Sequence, residues 1–258
     1  MKRLYKKLIS ERTRINIRLS LCKLTSAFYM GNRFSCNCCG KSFRKFKSKG
    51  NGLKTRENAE CPHCTSLERI RNLFFYLQNE TKIFSDSARL LHFAPEYALL
   101  PWFRKAKNLE YISADLNPHA ADHQIDITDI PFPADYFDYI LCFHVLGHVP
   151  DEEKAIRELF RVLKKDGFAL IGTIIDRNSS TTLEREDADT PEKRLQYYSE
   201  SDLVRLHGMD FGDRLRAGGF NVEQIDYPIQ LGQEMRDRYS LGNGERELIF
   251  KCTSCSNS

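Results

Sequence analysis

Short apolar runs alternate with amphipathic segments from Ala88 to the end of the chain. The apolar runs, which predict β-strands, lie at 89–93, 110–114, 137–143, 168–175, 220–227 and 247–252, and the amphipathic segments, which predict helices, lie at 97–106, 151–164 and 201–217. Strands that alternate with helices of this length favour a parallel sheet with helices on both faces. The pattern predicts a doubly wound α/β fold, with a polar insert at about 176–200.

Two more helices are predicted on the N-terminal side. The first would cover 67–80, where Thr65 and Glu68 have the spacing of a capping box. The second lies within residues 1–33, where apolar positions recur among basic ones: Leu4, Leu8, Ile15, Leu19 and Leu21. This arm is interpreted as a basic amphipathic helix. A helix that packs its apolar stripe on the protein is an equal alternative, and a mitochondrial transit peptide ranks last because no small-residue cleavage site follows.

Charge divides the chain in two. Residues up to Arg56 contain 16 Lys and Arg and the single acid Glu11, so they carry about +15, although the whole chain has a net charge of only +4. The remaining residues are correspondingly acidic. A basic segment of this strength favours a polyanionic partner, either nucleic acid or an anionic membrane or glycolipid surface. The simpler alternative is a solvated basic segment that only aids solubility.

Localisation and redox state follow from what the sequence does not contain. No run approaches the roughly 18 apolar residues of a membrane-spanning helix, and no apolar secretory signal begins the chain. A cytoplasmic location is predicted, with peripheral contact at the inner face of the membrane as an option. Disulfides are disfavoured there, so the nine cysteines favour metal ligation.

Two Cys-x-x-Cys pairs predict a zinc ribbon at 34–66 with four ligands: Cys36, Cys39, Cys61 and Cys64. Two such turns can close a tetrahedron of thiolates, which leaves no open position, so the metal would be structural. Cys38 lies between the first pair, and His63 is the nearest substitute ligand. Unligated buried thiols are the less favoured interpretation. A third pair, Cys252 and Cys255, is interpreted as incidental, with a second metal site as the weaker option.

A series of motifs follows the ribbon in a characteristic order. The first predicted strand ends in His92-Phe93-Ala94-Pro95-Glu96, the second ends in Asp115, and Phe143-His144-Val145-Leu146-Gly147-His148-Val149 lies at the end of the predicted strand at 137–143. Together with 158–167 (ELFRVLKKDG), this order resembles class I S-adenosylmethionine-dependent methyltransferases of the bacterial "LHFAPE" type, some of which carry a similar four-cysteine segment. The resemblance implies a Rossmann-like, seven-stranded, mostly parallel sheet over 67–258, preceded by the ribbon and the basic arm.

The resemblance also implies which residues contact the cofactor, S-adenosyl-L-methionine. The methionine part would lie against Phe93, Ala94, Pro95 and Glu96. The ribose would bind Asp115, with Leu116 beside the adenine, and the adenine would also meet Asp126 and Ile127. His144 and Val145 would lie near the methyl group. Surface carboxylates at Asp115 and Asp126, and structural histidines at 144 and 148, remain the alternatives.

The candidate catalytic residues are those expected at the same end of the sheet, His144, His148 and Asp176, because an oxygen acceptor usually needs a base. His144 is the first choice, and Glu184, Arg185 and Arg194 in the insert are further candidates. Two residues depart from the family pattern. Gly147 replaces a glutamate, and Leu203 replaces the histidine of a "DHVR" motif.

Three functions are compatible with these features. The first is O-methylation of a saccharide or another small acceptor in surface-polymer biosynthesis. The second is RNA methylation, in which the arm and ribbon bind phosphates and Phe34, Phe43 and Phe46 stack on bases, although the family resemblance implies that these rings form the core of the ribbon. The third is a cofactor-binding scaffold without catalysis, because Gly147 and Leu203 remove polar groups from the acceptor side.

Overall fold

A seven-stranded sheet runs through the structure, a computed structural model that describes residues 11–50, 55–242 and 247–254. The helices are α1 (Glu11–Thr25), α2 (Glu68–Asn79), α3 (Leu100–Lys105), α4 (Glu152–Val162), α5 (Pro191–Tyr198), α6 (Phe211–Ala217) and α7 (Tyr227–Tyr239), with 3-10 turns at Ser26–Tyr29 and Leu146–His148. The strands are β1 (Met30–Cys36), β2 (Lys41–Phe43), β3 (Lys47–Gly50), β4 (Thr55–Glu60), β5 (Ala88–Phe93), β6 (Leu109–Asp115), β7 (His123–Gln124), β8 (Phe137–Phe143), β9 (Leu163–Gly172), β10 (Phe220–Ile225) and β11 (Ile249–Ser254).

The large sheet has the strand order β10-β11-β9-β8-β5-β6-β7. Strand β5 pairs in parallel with β6 on one side and with β8 on the other, whereas β11 is antiparallel to both neighbours. The chain therefore reverses its direction of winding at β5, and such a switch point opens a crevice at the carboxyl ends of the strands. The predicted Rossmann-like, mostly parallel sheet of seven strands is confirmed.

Strand β5 lies at the centre because its side chains are apolar on both faces, which suits a strand covered on both sides. Leu91 and Phe93 face a core formed with α4 and α6, and Leu90 faces a second core that includes α2 and α3. This second core also contains ribbon residues, among them Phe43 and Cys61. Ribbon and sheet thus share one apolar core across the predicted boundary at residue 66.

The ribbon consists of two antiparallel pairs, β1 with β2 and β3 with β4. Its aromatic residues Phe34, Phe43 and Phe46 are buried, with 9%, 0% and 3% of their surface exposed. The hypothesis that these rings stack on RNA bases is therefore wrong, because their faces pack against each other inside the ribbon.

Arg71 of α2 joins the ribbon to the C-terminal part of the chain. Its side chain is fully buried and its guanidinium donates hydrogen bonds to four carbonyl oxygens, those of Ala59, Ser66, Tyr239 and Ser240, at 2.6–3.1 Å. The guanidinium also lies 4.7 Å from the Phe46 ring centroid. A buried charge with every donor engaged is tolerated in an apolar core. Arg71 therefore fixes the position of the ribbon relative to α7.

Two predictions about local structure were wrong, and two helices were not predicted. Thr65 does not cap α2, because it adopts a left-handed φ of 62° and the N-cap position falls on Leu67, which makes no side-chain cap hydrogen bond. The predicted helix at 201–217 shrinks to α6, since residues 203–207 alternate buried and half-buried side chains, the two-residue period of an extended chain. The insert at 176–200 contains α5, and α7 lies between the last two predicted strands.

Helix α1 forms the described part of the basic arm. Cys22 is buried and Ile15 and Leu19 are half-buried, whereas Leu21 is exposed, so the apolar positions fall on two sides of the helix. Leu4 and Leu8 lie outside the described residues. Among the described residues, no helix is long and apolar enough to cross a membrane.

Candidate cofactor cavity and metal centre

The four predicted metal ligands come together in the ribbon. The Sγ atoms of Cys36, Cys39, Cys61 and Cys64 all lie within 4.8 Å of one another. Cys36 and Cys64 are 3.5 Å apart, and Cys39 and Cys61 are 3.9 Å apart. A tetrahedral zinc with bonds of about 2.3 Å requires sulfur atoms about 3.8 Å apart. The donor set therefore fits a structural zinc ion, and His63 lies outside it, with its Nδ1 3.0 Å from Ser26 Oγ.

The two cysteine turns have the same backbone design. In each turn, the amide of the fifth residue donates to the carbonyl of the first cysteine, Gly40 to Cys36 at 2.8 Å and Thr65 to Cys61 at 3.0 Å. Both fifth residues are left-handed, with φ of 69° at Gly40 and 62° at Thr65. The Ser66 Oγ lies 3.2 Å from Cys36 Sγ and 3.3 Å from Cys64 Sγ, so its hydroxyl can support the thiolates. Thr65 thus has the same role in the second cysteine turn as Gly40 has in the first.

A cavity of about 700 Å³ lies at the switch point of the sheet. Its wall is formed by the ends of β5, β6, β7 and β8 and by the turn that precedes α4, with these lining residues: Phe93, Ala94, Asp115, Leu116, Ile125, Asp126, Ile127, Thr128, His144, Val145, His148, Val149, Pro150, Asp151 and Asp202. This size is within the usual range for small-molecule sites, roughly 300–1,000 Å³.

Eight of the ten predicted cofactor residues line this cavity. The exceptions are Pro95 and Glu96, which line a smaller cavity beneath α1 instead. Glu96 turns away because its Oε2 is 2.8 Å from Nε2 of His92, a fully buried histidine whose Nδ1 lies 3.1 Å from the Tyr111 hydroxyl. The assignment of Pro95 and Glu96 to the methionine part is therefore corrected. Pro95 and Glu96 support the turn from the side that faces the smaller cavity.

Two strand ends adopt backbone conformations that normally favour glycine. Ala94 after β5 has φ of 47°, and His144 after β8 has φ of 57°. The Ala94 amide donates to the carbonyl of Ala114, and the His144 amide donates to that of Gly172. Strained residues of this kind persist where the surrounding structure fixes them, and they cluster at functional sites. The turn after β5 thus contains a left-handed residue, Ala94, although it contains no glycine.

The cavity is electronegative. Four carboxylates line it, Asp115, Asp126, Asp151 and Asp202, and the lining contains no lysine or arginine among the described residues. One oxygen of Asp115 accepts from the Asn117 amide at 2.8 Å. A cavity of this charge favours a cationic ligand and disfavours a phosphate-rich one.

The three candidate catalytic residues are not all in the cavity. His144 and His148 line it, but Asp176 does not. Asp176 Oδ1 instead accepts from the amide of Asn178 at 3.0 Å, within a turn after β9. Asp176 is therefore removed as a catalytic candidate. Of the insert candidates, Glu184 pairs with Arg205 and Arg214, Arg185 pairs with Asp187, and Arg194 donates to the carbonyl of Ala188.

The backbone of Asp202 orients the ring of His148. Its Nδ1 lies 3.0 Å from the carbonyl oxygen of Asp202. Because a carbonyl only accepts hydrogen bonds, Nδ1 carries the proton in the neutral ring and Nε2 keeps its lone pair. The structure thus assigns the tautomer that a base requires.

A buried ionic network supports the wall of the cavity, and sequence reasoning missed it. Arg205 donates to the carbonyls of Leu146, Val149 and Pro150 at 2.5–3.0 Å and so holds the segment that carries His148. Beside it, Glu152 lies 2.5 Å from Nε2 of His207 and also pairs with Arg214. These charges compensate each other in a site that is almost fully buried.

Glu152 is the acidic centre of this network. Burial raises the pKa of its carboxyl, but the hydrogen bond from His207 and the charges of His207, Arg214 and Arg205 outweigh burial, so the pKa of Glu152 is lowered. In the sequence, Glu152 looked only like an acid that favours a helix N-terminus.

Comparisons with known proteins agree with this fold and this cavity. Residues 99–171 match a family model described as a methyltransferase domain. This stretch contains the ends of β6, β7 and β8, which supply most of the cavity wall. Similar proteins include the uncharacterized methyltransferase YcgJ of Bacillus subtilis, 50% identical over 131 residues, which are 50% of this chain and 50% of that protein.

Two further similarities are shorter or more distant. The ubiquinone/menaquinone biosynthesis C-methyltransferase UbiE of Vibrio campbellii is 46% identical over 48 residues, 19% of this chain and 18% of that protein. A solved complex between the Haloferax volcanii Trm112 methyltransferase activator and a methyltransferase superposes with a TM-score of 0.50 at 15% identity, over 74% of this chain and 92% of the matched chain.

The chain spans about half or less of the length of these curated relatives. Together, the domain match and the relatives show that residues 99–171 are similar to a methyltransferase domain, and the strand order shows the Rossmann-like sheet that carries it.

Proposed function

We propose that the protein transfers a methyl group from S-adenosylmethionine to a small acceptor. The observation that carries the proposal is the electronegative cavity at the switch point, formed by the strand ends that the methyltransferase domain match covers. S-adenosylmethionine is a cation, and its sulfonium supplies an already activated methyl group. The charge of the cavity lining fits this cationic cofactor. Four carboxylates line the cavity, and the described lining residues include no lysine or arginine that would neutralise them.

Individual residues would hold the parts of the cofactor. Asp115 at the end of β6 is placed to accept hydrogen bonds from ribose hydroxyls. Leu116 beside it is an exposed apolar side chain that suits the face of an adenine ring. Asp126 and Ile127 would meet the adenine edge, and the left-handed Ala94 would let the β5 turn approach the methionine part.

His148 is the proposed base for a hydroxyl acceptor. It lines the cavity, and its proton on Nδ1 is directed to the Asp202 carbonyl, which leaves Nε2 to take a proton from the acceptor. Aligning the acceptor oxygen with the methyl group would supply much of the rate acceleration. This geometry favours His148 over His144, the first choice from the sequence.

The acceptor class is a saccharide or a similar hydroxyl-bearing small molecule of surface-polymer biosynthesis, as the family resemblance implies. A second candidate is an aromatic carbon of a quinone-type acceptor, since the relative UbiE is named as a quinone C-methyltransferase. RNA is disfavoured as the acceptor because its phosphates would meet the four carboxylates of the cavity. The proposal also includes a structural zinc ion in the ribbon, supported by the cysteine geometry.

Calorimetric titration with S-adenosylmethionine and S-adenosylhomocysteine tests the first step. We expect micromolar binding to the wild-type protein and at least about tenfold weaker binding to Asp115→Ala, since hydrogen bonds to a charged group contribute about 1.5–3 kcal/mol. Asp189→Ala, an exposed aspartate of the insert, is the matched control. Absence of binding to wild-type protein of full zinc content would refute methyl transfer.

Transfer of a labelled methyl group to separate hydroxyl and quinone acceptors tests the second step. With a hydroxyl acceptor, His148→Gln should lose turnover and keep cofactor binding. With a carbon acceptor that needs no proton removal in the rate-limiting step, His148→Gln should change turnover little.

A further inference from the structure

Half of the large apolar side chains that are exposed among the described residues lie in one short stretch of the chain. Ten large apolar side chains are exposed among the described residues, and five of them fall between residues 17 and 30: Ile17, Leu21, Leu24, Phe28 and Met30. Leu24 and Phe28 expose 74% and 77% of their surface. Scattered single residues would need no explanation, but clustered ones mark an interaction surface. We call these five residues the apolar patch.

Helix geometry explains why the patch is exposed. At about 100° per residue, Ile17, Leu21 and Leu24 form one stripe along α1. Ile15, Leu19 and Cys22 lie on another side of the helix and are less exposed. The 3-10 turn that follows α1 carries Phe28, and β1 begins at Met30. The helix therefore has one apolar side for the protein and a second that meets solvent.

Exposed basic side chains accompany the patch. Lys23 lies on α1 between the stripe and the side that faces the protein, and the Arg44 amide donates to the Tyr29 carbonyl at 2.8 Å, directly after Phe28. The Lys45 Nζ lies 6.0 Å from the Tyr29 ring centroid. Lys23, Arg44 and Lys45 make no ion pair with another described residue, whereas Arg18 pairs with Glu60. The sequence adds four basic residues and no acid before Glu11.

We propose that the apolar patch and its basic neighbours bind the headgroup region of an anionic lipid bilayer. An interfacial helix has these two parts, an apolar stripe that enters the acyl boundary and lysines or arginines that meet anionic headgroups. Nucleic acid would use the basic residues but would leave five apolar side chains in water. A second copy of the chain would bring the same positive charges together.

Vesicle co-sedimentation of the full chain, without S-adenosylmethionine, tests this proposal independently of methyl transfer. We expect binding to phosphatidylcholine vesicles that contain phosphatidylglycerol and little binding to phosphatidylcholine alone. The variant Leu24→Ser/Phe28→Ser should partition at least about 20-fold more weakly, because two apolar side chains lose their burial. The variant Lys23→Gln/Arg44→Gln/Lys45→Gln should partition about 100-fold more weakly, from about fivefold per charge.

Matched controls separate the patch from general changes in the surface. Ile229→Ser removes an apolar side chain that is 62% exposed on α7, and Lys105→Gln/Lys107→Gln removes two exposed charges outside the basic segment. Both controls should bind vesicles like the wild type, and all variants should keep the wild-type circular dichroism and zinc content. High salt should weaken binding of the wild type.

Three results would overturn the proposal. The first is no binding to anionic vesicles. The second is unchanged vesicle binding by Leu24→Ser/Phe28→Ser, which would mean that the charges act alone, as they would on RNA. The third is a wild-type dimer in light scattering that this variant converts to a monomer, which would make the patch a contact between copies of the chain.

Discussion

The cysteine cluster and the cofactor cavity are assembled in opposite ways. The cluster closes on itself, since its four sulfur atoms lie within 4.8 Å of one another and come from two short turns. The cavity is open and takes its walls from the ends of four strands that are distant in sequence. A closed set of thiolates suits a metal that stabilises a fold. An open set of carboxylates suits a ligand that enters and leaves.

The two regions also differ in what supports them. The cluster is held by local hydrogen bonds within each turn and by the core that it shares with α2. The cavity wall near His148 is held by Arg205, whose network includes Glu152 and His207. Damage to the cluster should therefore affect the whole fold, and damage to the network should affect mainly one wall of the cavity.

Cys61→Ser should have the largest effect. It removes one of four ligands in a buried site, so we expect zinc to be lost and the free energy of unfolding to fall by more than about 5 kcal/mol. Because the ribbon shares its core with the sheet, cofactor binding should be lost with it. Metal content by mass spectrometry and thermal unfolding measure both effects.

Cys38→Ala is the matched control for this experiment. Cys38 is a buried thiol of the same turn but lies outside the cluster of four. It should keep one zinc ion per chain and lose only the packing of one sulfur. Equal zinc loss in both variants would contradict the assignment of the ligands.

The sequence predicted the cluster and the sheet because both depend on local patterns. Cysteines three residues apart share a turn, and apolar runs of strand length mark buried strands. The predicted strands at the centre of the sheet agree with β5, β6 and β8 within about two residues. The order of the motifs was enough to place Asp115 and His144 at one edge.

Contacts between residues that are distant in the chain have no comparable local pattern in the sequence. Arg71 looks like a solvent-exposed residue of an amphipathic helix, and two of its four carbonyl partners lie 168 and 169 residues away. The predicted helix at 201–217 includes Arg205 and His207. The alternation of buried and half-buried side chains over 203–207 instead shows an extended chain. The exposed side of α1 was also hidden, since apolar positions alone do not tell which side the protein covers.

Glu152→Gln should separate the cavity from the cluster. It removes the buried carboxylate that pairs with His207, Arg214 and Arg205, while Glu184 still pairs with the two arginines, so the loss of stability should not exceed about 3–5 kcal/mol, the cost of a fully broken buried pair. Cofactor binding should weaken while zinc content stays unchanged. Glu153→Gln, at the next position on the solvent-exposed side of α4, is the matched control and should change stability by less than about 0.5 kcal/mol.

The pH dependence of stability should change in the same variant. The pKa of Glu152 in the folded protein lies below its ordinary value of 4.5, so its contribution is fully present above about pH 4.5 and is lost as the pH falls through the folded pKa. Glu152→Gln should therefore show a shallower loss of stability with acid than Glu153→Gln. Parallel acid unfolding curves for the two variants would contradict this role.

Gly147 and Leu203, the two departures from the family pattern, should show the smallest effects, because they compensate each other. A Cβ atom at Gly147 would lie 2.7 Å from Leu203 Cδ2, so Leu203 fills the space that a side chain at 147 would need. Gly147→Ala alone should cost about 1–3 kcal/mol through overpacking. Leu203→Ala alone should cost about 2–3 kcal/mol, since Leu203 is buried.

The double variant tests whether these two residues form one structural unit. Gly147→Ala/Leu203→Ala should be more stable than the sum of the single effects by about 1 kcal/mol, because the new methyl group occupies part of the space vacated by Leu203. Urea unfolding measures this coupling. Additive effects would show that the two residues do not interact energetically.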